Sequence, residues 1–291
     1  MRLIEGFGAG SATDLVARLI GQWLSVRLGQ PFVVENRTGT GSNVATEAVV
    51  RASPDGYTLL LAATTNAVNT TLYDKLNFNF IRDIAPVAGL IRLPIVLIVN
   101  PSFPARTLPE LIAYAKANPG RIGLATPGNG TPMHVASELF KMMTGVNIVH
   151  VPYRSVPAAY PDVLGGQVQA IFVTVPSALG YIRAGQLRAL AVAGATRTDV
   201  LPDIPTVAEF VPGFEASAWQ GIGAPRNTPM EVIDKLNTEI TAGLADPNTK
   251  QRLADLGGVP MPMTPADFGK LIAEETEKWG KVIRAANIKP E

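Results

Sequence analysis

The chain has 291 residues, with 25 Lys plus Arg against 24 Asp plus Glu, a formal net charge of +1 and no cysteine. Balanced charge with no basic stripe argues against nucleic acid as a partner, and the lack of cysteine excludes thiol catalysis, thiolate metal sites and disulfides. With 47% hydrophobic and 17% charged residues, and 27 Gly and 24 Pro to define turns, the composition is that of a folded chain of two domains or one large one.

Apolar runs bounded by turn residues alternate with helix-period segments almost throughout. "RLIEGF" predicts a strand, and "TDLVARLIGQWLSVRLG" a helix with Leu15, Leu19, Trp23 and Val26 on one stripe and a stop at Gly29. The strand "PFVVEN", the loop "RTGTGS", the helix "NVATEAVVRAS" and the strand "GYTLLLAAT" follow. This order implies right-handed crossovers and a mainly parallel sheet flanked by helices. After the long apolar run "DIAPVAGLIRLPIVLIVNP" the pattern starts afresh and runs to "LRALAVAG", and the remainder beyond "SAWQGIGAP" is mostly helical. The predicted organisation is α/β in two lobes, each a mainly parallel sheet flanked by helices. Residues 1–99 plus 222–291 form lobe I and 100–221 form lobe II, with hinge crossings near 96–101 and 217–225 and the ligand expected in the cleft. No run approaches the roughly 20 apolar residues that cross a bilayer. "MRLIEGF" lacks the apolar centre of a signal peptide, and the immediate entry into a strand reads as a chain whose leader has been removed.

Two loops invite an anion. "GFGAGSATD" follows a strand and opens a helix, as a dinucleotide loop does, but its sixth place is Ser11 rather than glycine. Glu35, at the end of the next strand, falls where a ribose-binding acid belongs, so a nucleotide-dependent enzyme is the alternative reading. The counterpart in the second half is "ATPGNGTPMH", again glycine with hydroxyl residues at a helix start. Helix N-termini leave amides unpaired and carry partial positive charge. Each loop alone reads as a capping motif; two matched loops read as two seats for one carboxylate. Asp14 is expected to brace its loop or hold a bridging water, because it would repel a carboxylate. Thr64, Thr65 and Asn66 leave the carboxyl end of a strand, where open sheets bind ligands.

Enzyme chemistry finds little support. His134 has no acid placed by sequence to orient it, and there is no Gly-x-Ser-x-Gly, no His-Glu-x-x-His and no Walker motif. Only His134 and His150 occur, so a three-histidine metal site is excluded. Asp83, Asp162 and Glu209 read as caps or ion-pair partners, and Trp219 as core.

The ordered pieces "GFGAGSATDLVARLI", "LGQPFVVENRTGTGSNVATEAV", "PDGYTLLLA", "ANPGRIGLATPGNGTPMHVASELF", "VPYRSVPAAYPDVLGGQVQAIF", "IRAGQLRALAVAGATR", "LPDIPTVAEF" and "PGFEASAWQGIGAP" resemble the tripartite tricarboxylate transporter receptor family, also called the Bug family, over nearly the whole chain. The resemblance implies a two-lobe periplasmic binding protein of the type II-like plan, a hinge-closing receptor that is a monomer without cofactor or metal. It captures a small organic carboxylate, expected to be a dicarboxylate, for the membrane components of a tripartite transporter; a ligand sensor for a signalling partner would share the same chemistry. Carried over by position, the ligand loops are Phe7, Gly8, Ala9, Gly10, Ser11, Thr13 and Asp14, then Thr126, Gly128, Asn129, Gly130, Thr131 and His134. Thr174 falls in a stretch that varies with ligand. Gly8, Ser11 and Ser155 depart from the Pro, Gly and Gly usual in the family.

Overall fold

The computed structural model describes residues 1–290. In chain order its elements begin with β1 (Arg2–Glu5), α1 (Ala12–Leu28), β2 (Val33–Asn36), α2 (Asn43–Val50), β3 (Thr58–Ala63), α3 (Thr64–Leu72), the single turn α4 (Phe80–Asp83) and the long β4 (Ile84–Val99). They continue with α5 (Leu108–Ala117), β5 (Gly123–Thr126), α6 (Pro132–Thr144), β6 (Val149–Pro152), α7 (Val156–Leu164), β7 (Ala170–Thr174), α8 (Val175–Arg183) and β8 (Arg188–Val192). The last are β9 (Ser217–Pro225), α9 (Met230–Ala245), α10 (Pro247–Asp255), β10 (Val259–Pro260) and α11 (Pro265–Ala286). The chain forms two compact units, one from Met1–Arg92 with Trp219–Lys281, the other from Leu93–Ala218 with the residues from Val282 on.

In the first unit the strand order is β2-β1-β3-β9-β4. β1 runs parallel to β2 and β3, whereas β9 and β10 pair antiparallel to β3 and β4. All six residues of β3 are buried, which is why "TLLLAA" reads as a continuous apolar run rather than an alternating one. The core gathers Ile4, Leu60, Phe80 and Trp219, with Phe268 edge-on to the Trp219 indole at 5.6 Å between centroids. The indole N–H groups of Trp219 and Trp279 both donate to Glu275 Oε2, at 3.2 and 2.8 Å, so this buried carboxylate ties α11 to β9.

The α1 stripe differs from expectation. Leu15 and Val26 are 42% and 79% exposed, and the buried face is Val16, Ala17, Leu19, Ile20, Gly21 and Leu24. The buried row runs through small residues: Ala17 is fully buried, and Gly21 packs against Phe32 and Val34, which a Cβ there would meet at ordinary contact distance. Trp23 serves a second contact, donating its indole N–H to the Glu239 carbonyl of α9 at 2.8 Å.

In the second unit β5 lies between β6 and β7, parallel to both. The latter half of β4 pairs antiparallel with β7 and, across a register shift at Leu97/Ile98, with β8. Val96, Ile98, Ile171 and Val173 join Tyr160 and Val163 in one core cluster. Phe140, Phe172 and Phe214 pack ring to ring, with centroids 5.9 to 6.5 Å apart.

Candidate functional site: two glycine loops with one backbone design

The loop between β1 and α1 is held from behind. Ser11, extended at φ −67° and ψ 161°, caps α1 by accepting from the Asp14 amide at 3.2 Å. Asp14 reaches back, its Oδ2 accepting from the Gly10 amide at 2.9 Å, and the Ser11 amide closes a turn on the Gly8 carbonyl at 3.1 Å. Gly10 sits at φ 82°, a left-handed conformation that a Cβ disfavours. The Asp14 carboxylate also takes Arg18 Nε and Asn36 Nδ2, each at 2.9 Å. That Arg18 guanidinium, with Gly10 and Asn36 behind it, overcomes burial and lowers the Asp14 pKa to about 2. Asn36 Nδ2 reaches Glu5 Oε1 at 2.6 Å as well, and Glu5 Oε2 accepts the Phe7 amide at 3.0 Å. Burial pushes the Glu5 carboxyl up, against these hydrogen bonds.

The loop between β5 and α6 repeats the design. Thr131, at φ −67° and ψ 155°, caps α6 by accepting from the His134 amide at 3.3 Å. His134 reaches back, its Nδ1 accepting from the Gly130 amide at 3.2 Å, and the Thr131 hydroxyl closes the turn on the Gly128 carbonyl at 2.9 Å. Gly128 and Gly130 have φ 96° and 73°. Gly8, Gly10, Ser11 and Asp14 therefore correspond to Gly128, Gly130, Thr131 and His134. The brace is an anion in one loop and an imidazole in the other. Burial, with His150 and Lys141 nearby, lowers the His134 pKa to about 3, so the ring is neutral across the physiological range.

His134 stacks on His150 at 4.3 Å between centroids, and His150 Nε2 contacts the Thr126 hydroxyl. His134, Glu138 and His150 bring three potential metal donors within 4.8 Å of one another. Glu138 Oε1 is paired with Lys141 Nζ at 2.8 Å, and His134 Nδ1 is taken by Gly130. The two rings also lie only 18° from parallel, so their lone pairs do not converge on one ion. The neutral state of His134 has a consequence for stability. Its folded pKa of about 3 lies below its ordinary value of 6.5, so its contribution is complete above pH 6.5 and is lost as pH falls towards 3, by up to about 1.4 kcal/mol per pH unit. We expect His134→Gln to flatten the urea-unfolding stability profile between pH 6.5 and 4. An unchanged slope would assign the loss to other groups.

The remaining expected residues divide by what they contact. The Phe7 amide is consumed by Glu5, and the Ser11 and Thr13 hydroxyls bond each other at 2.9 Å. Among the described residues the amides of exposed Gly8 and Ala9 donate to no protein group. Thr126 is fully buried, and Asn129 Nδ2 donates to the Lys289 carbonyl at 3.2 Å. Thr174 occupies the N-cap position of α8 without a capping bond to a backbone amide, its hydroxyl donating to Ser177 Oγ at 3.2 Å. Thr64 accepts the Trp219 amide at 2.8 Å, and Asn66 accepts the Ala63 amide at 2.7 Å and donates to Thr46 at 2.8 Å. Thr65 Oγ1 is buried without a partner. Sequence reasoning missed Glu5, Asn36 and Arg18 as the support of the first loop. Arg18, one turn after Asp14, was the one available signal. Two of the expected caps hold, since Asp83 takes the Asn79 amide and Glu209 closes a capping box with Thr206, whereas Asp162 instead accepts the Tyr153 hydroxyl.

Loops of this build place backbone amides at helix starts, an arrangement suited to an anion. Residues 16–288 match the model of the tripartite tricarboxylate transporter family receptor. BugT of Bordetella pertussis is 36% identical over 292 residues, covering 99% of this chain and 90% of BugT. Among solved structures, an R. palustris protein with adipate is 35% identical with a TM-score of 0.85, covering 100% of this chain and 98% of that one. MatC from Rhodopseudomonas palustris, with bound malate, is 32% identical with a TM-score of 0.80, covering 97% and 98%. The chain belongs to the Bug family of tripartite tricarboxylate transporter receptors, which are periplasmic solute-binding proteins rather than enzymes. No helix among the described residues is long and apolar enough to cross a membrane.

Proposed function

We propose that the protein captures a small organic acid, a dicarboxylate, and delivers it to the membrane components of a tripartite transporter. The observation that carries this reading is the repeated loop: two strand-to-helix turns, each with a glycine amide tied back by the residue four places on, and in the first loop the Gly8 and Ala9 amides left without a protein acceptor among the described residues. Such amides, helped by the helix dipole, hold an anion without a cationic side chain. The loop residues on each unit would donate to one ligand carboxylate, and closure on the ligand would commit it for delivery. Support also comes from the adipate and malate bound by the two R. palustris relatives. The nucleotide reading loses its ribose acid, because Glu35 is paired with Arg2 at 2.7 Å and Arg37 at 3.0 Å.

The test is a thermal-shift and calorimetric screen of C3 to C6 mono-, di- and tricarboxylates, alongside dinucleotides. A specific acid at 100 times its Kd stabilises the protein by about 2.7 kcal/mol. Stabilisation by a dinucleotide and by no carboxylate would overturn the proposal.

A further inference from the structure

Two buried carboxylates stand behind the first glycine loop. Asn36 Nδ2 bridges them, donating to Glu5 Oε1 at 2.6 Å and to Asp14 Oδ1 at 2.9 Å. One cation serves the pair, and it sits on Asp14: Arg18 Nε lies 2.9 Å from Asp14 Oδ2, while Glu5 has no ion pair among the described residues. The elements packed most closely on β1 are β2, β3, α1 and α2, and they supply no other free charge. β3 carries no ionisable residue, Glu47 of α2 is paired with Arg51, and Glu35 of β2 is paired with Arg2 and Arg37. On α1 the remaining cation, Arg27, is paired with Glu239.

Glu5 is tied directly to the anion seat. Its Oε2 accepts the Phe7 amide at 3.0 Å, and the next amides along, those of Gly8 and Ala9, are the ones left for a ligand. Successive residues are about 3.8 Å apart, so an acid held by the Gly8 amide lies within about 10 Å of the Glu5 carboxylate. At that range inside a protein, one charge shifts the protonation of another.

We infer that Glu5 takes up a proton from solvent when an organic acid binds the first loop, so that capture is proton-coupled and Glu5, as a positioning residue, sets its affinity. This rests on the carboxylate reading above and adds the condition under which that site fills. Without the proton, three anions would share Arg18. Asp14 keeps its charge because Arg18 and the Gly10 amide hold it, whereas burial already opposes the charge on Glu5. The Thr13 hydroxyl, which also acts on the Glu5 carboxyl, can accept from the protonated form, since a hydroxyl donates or accepts. The bound acid raises the Glu5 pKa further. Affinity therefore falls as pH rises between the pKa of the free protein and that of the complex, a window above the ordinary 4.5.

The experiment is isothermal titration of the full chain with succinate, malate, glutarate and adipate, from pH 5.5 to 7.5 in buffers of different ionisation enthalpy. It compares wild type with Glu5→Gln, which keeps the side-chain shape without the charge. The acid's own titration is common to both proteins and cancels in their difference. For an acid that binds, wild type should take up at least about 0.25 proton more than the variant, averaged over this range, which by linkage is about a threefold change in Kd across it. At pH 7.5 Glu5→Gln should bind more tightly than wild type, whereas loss of a purely structural group would weaken binding. If far-UV circular dichroism finds the variant unfolded, the 13Cδ resonance of Glu5 in the wild-type chain carries the test. Its titration midpoint should lie above 4.5 and rise on saturation with the acid. Binding without excess proton uptake, weaker binding by Glu5→Gln at pH 7.5, or a Glu5 midpoint that the acid leaves unmoved would overturn the inference and leave the carboxylate reading intact. Binding of none of the four acids would remove both.

Discussion

Gly130→Val is expected to raise the Kd for the cognate carboxylate at least about 100-fold while leaving the fold in place. Gly130 occupies φ 73°, where a β-branched residue is a steric outlier. To escape, the backbone must rotate the Gly130 amide away from His134 Nδ1, which undoes the reach-back that shapes the loop. The strain, of order 1–3 kcal/mol, is local and far smaller than the packing of the phenylalanine cluster. Gly145→Val is the control. Gly145 caps the other end of α6 in the same left-handed conformation, at φ 67°, with open space where a Cβ would go. It should lose comparable stability and no affinity. Calorimetry on both variants, with far-UV circular dichroism for the fold, separates the outcomes. Unchanged affinity in Gly130→Val would remove the second loop from the site.

Asp14→Ala is expected to cost about 2–4 kcal/mol of stability at pH 7 and to weaken ligand binding with it. Removing the carboxylate strands the Gly10 amide, leaves Asn36 Nδ2 with less acceptor, and frees Arg18 from its partner. Asp14 itself is buried while Arg18 is half exposed, so the cost comes mainly from the hydrogen bonds that the buried carboxylate accepts, each of which is worth more for being charged. Asp14→Asn keeps an acceptor without the charge and should fall between. Because the folded pKa of Asp14 is near 2, below the ordinary 3.8, its contribution is whole above about pH 4 and is lost as pH falls through 2. The difference between wild type and Asp14→Ala should therefore be flat from pH 5 to 8 and shrink in acid. Urea denaturation reads both quantities. A loss under about 0.5 kcal/mol would show that the brace is replaceable.

What the sequence made legible depended on range. Strand and helix positions followed from runs such as "TLLLAA" and from caps such as Ser11 and Thr131, where the signal lies within a few residues. The α1 stripe failed because the buried face runs through Ala17 and Gly21, which a search for large apolar residues passes over. Both glycine loops were visible as compositions, and Asp14 was expected to brace its loop. The shared geometry was not visible, because Asp14 and His134 look unrelated until each is seen accepting an amide from the glycine four residues before it. Glu5 and Asn36 were out of reach for another reason: they meet Asp14 only through strand pairing, and no local pattern marks that. Likewise Thr64 and Asn66 had the right residue type but are bonded within the protein, and only burial without a partner distinguishes Thr65 from them.

The repeated loops share their reach-back brace but close the turn differently, through the Ser11 amide in the first and the Thr131 hydroxyl in the second, with only Gly128 of the paired Gly8 and Gly128 left-handed. The first position of α1 is Ala12, which carries an N–H, whereas the first position of α6 is Pro132, which has none. The two differences offset each other: the first loop keeps the Ala12 amide but spends that of Ser11 on its turn, whereas the second has no amide at Pro132 but closes its turn with the Thr131 hydroxyl. On the proposed reading Pro132 is therefore a dial: Pro132→Ala would add a single amide to the anion seat without altering any residue that braces it.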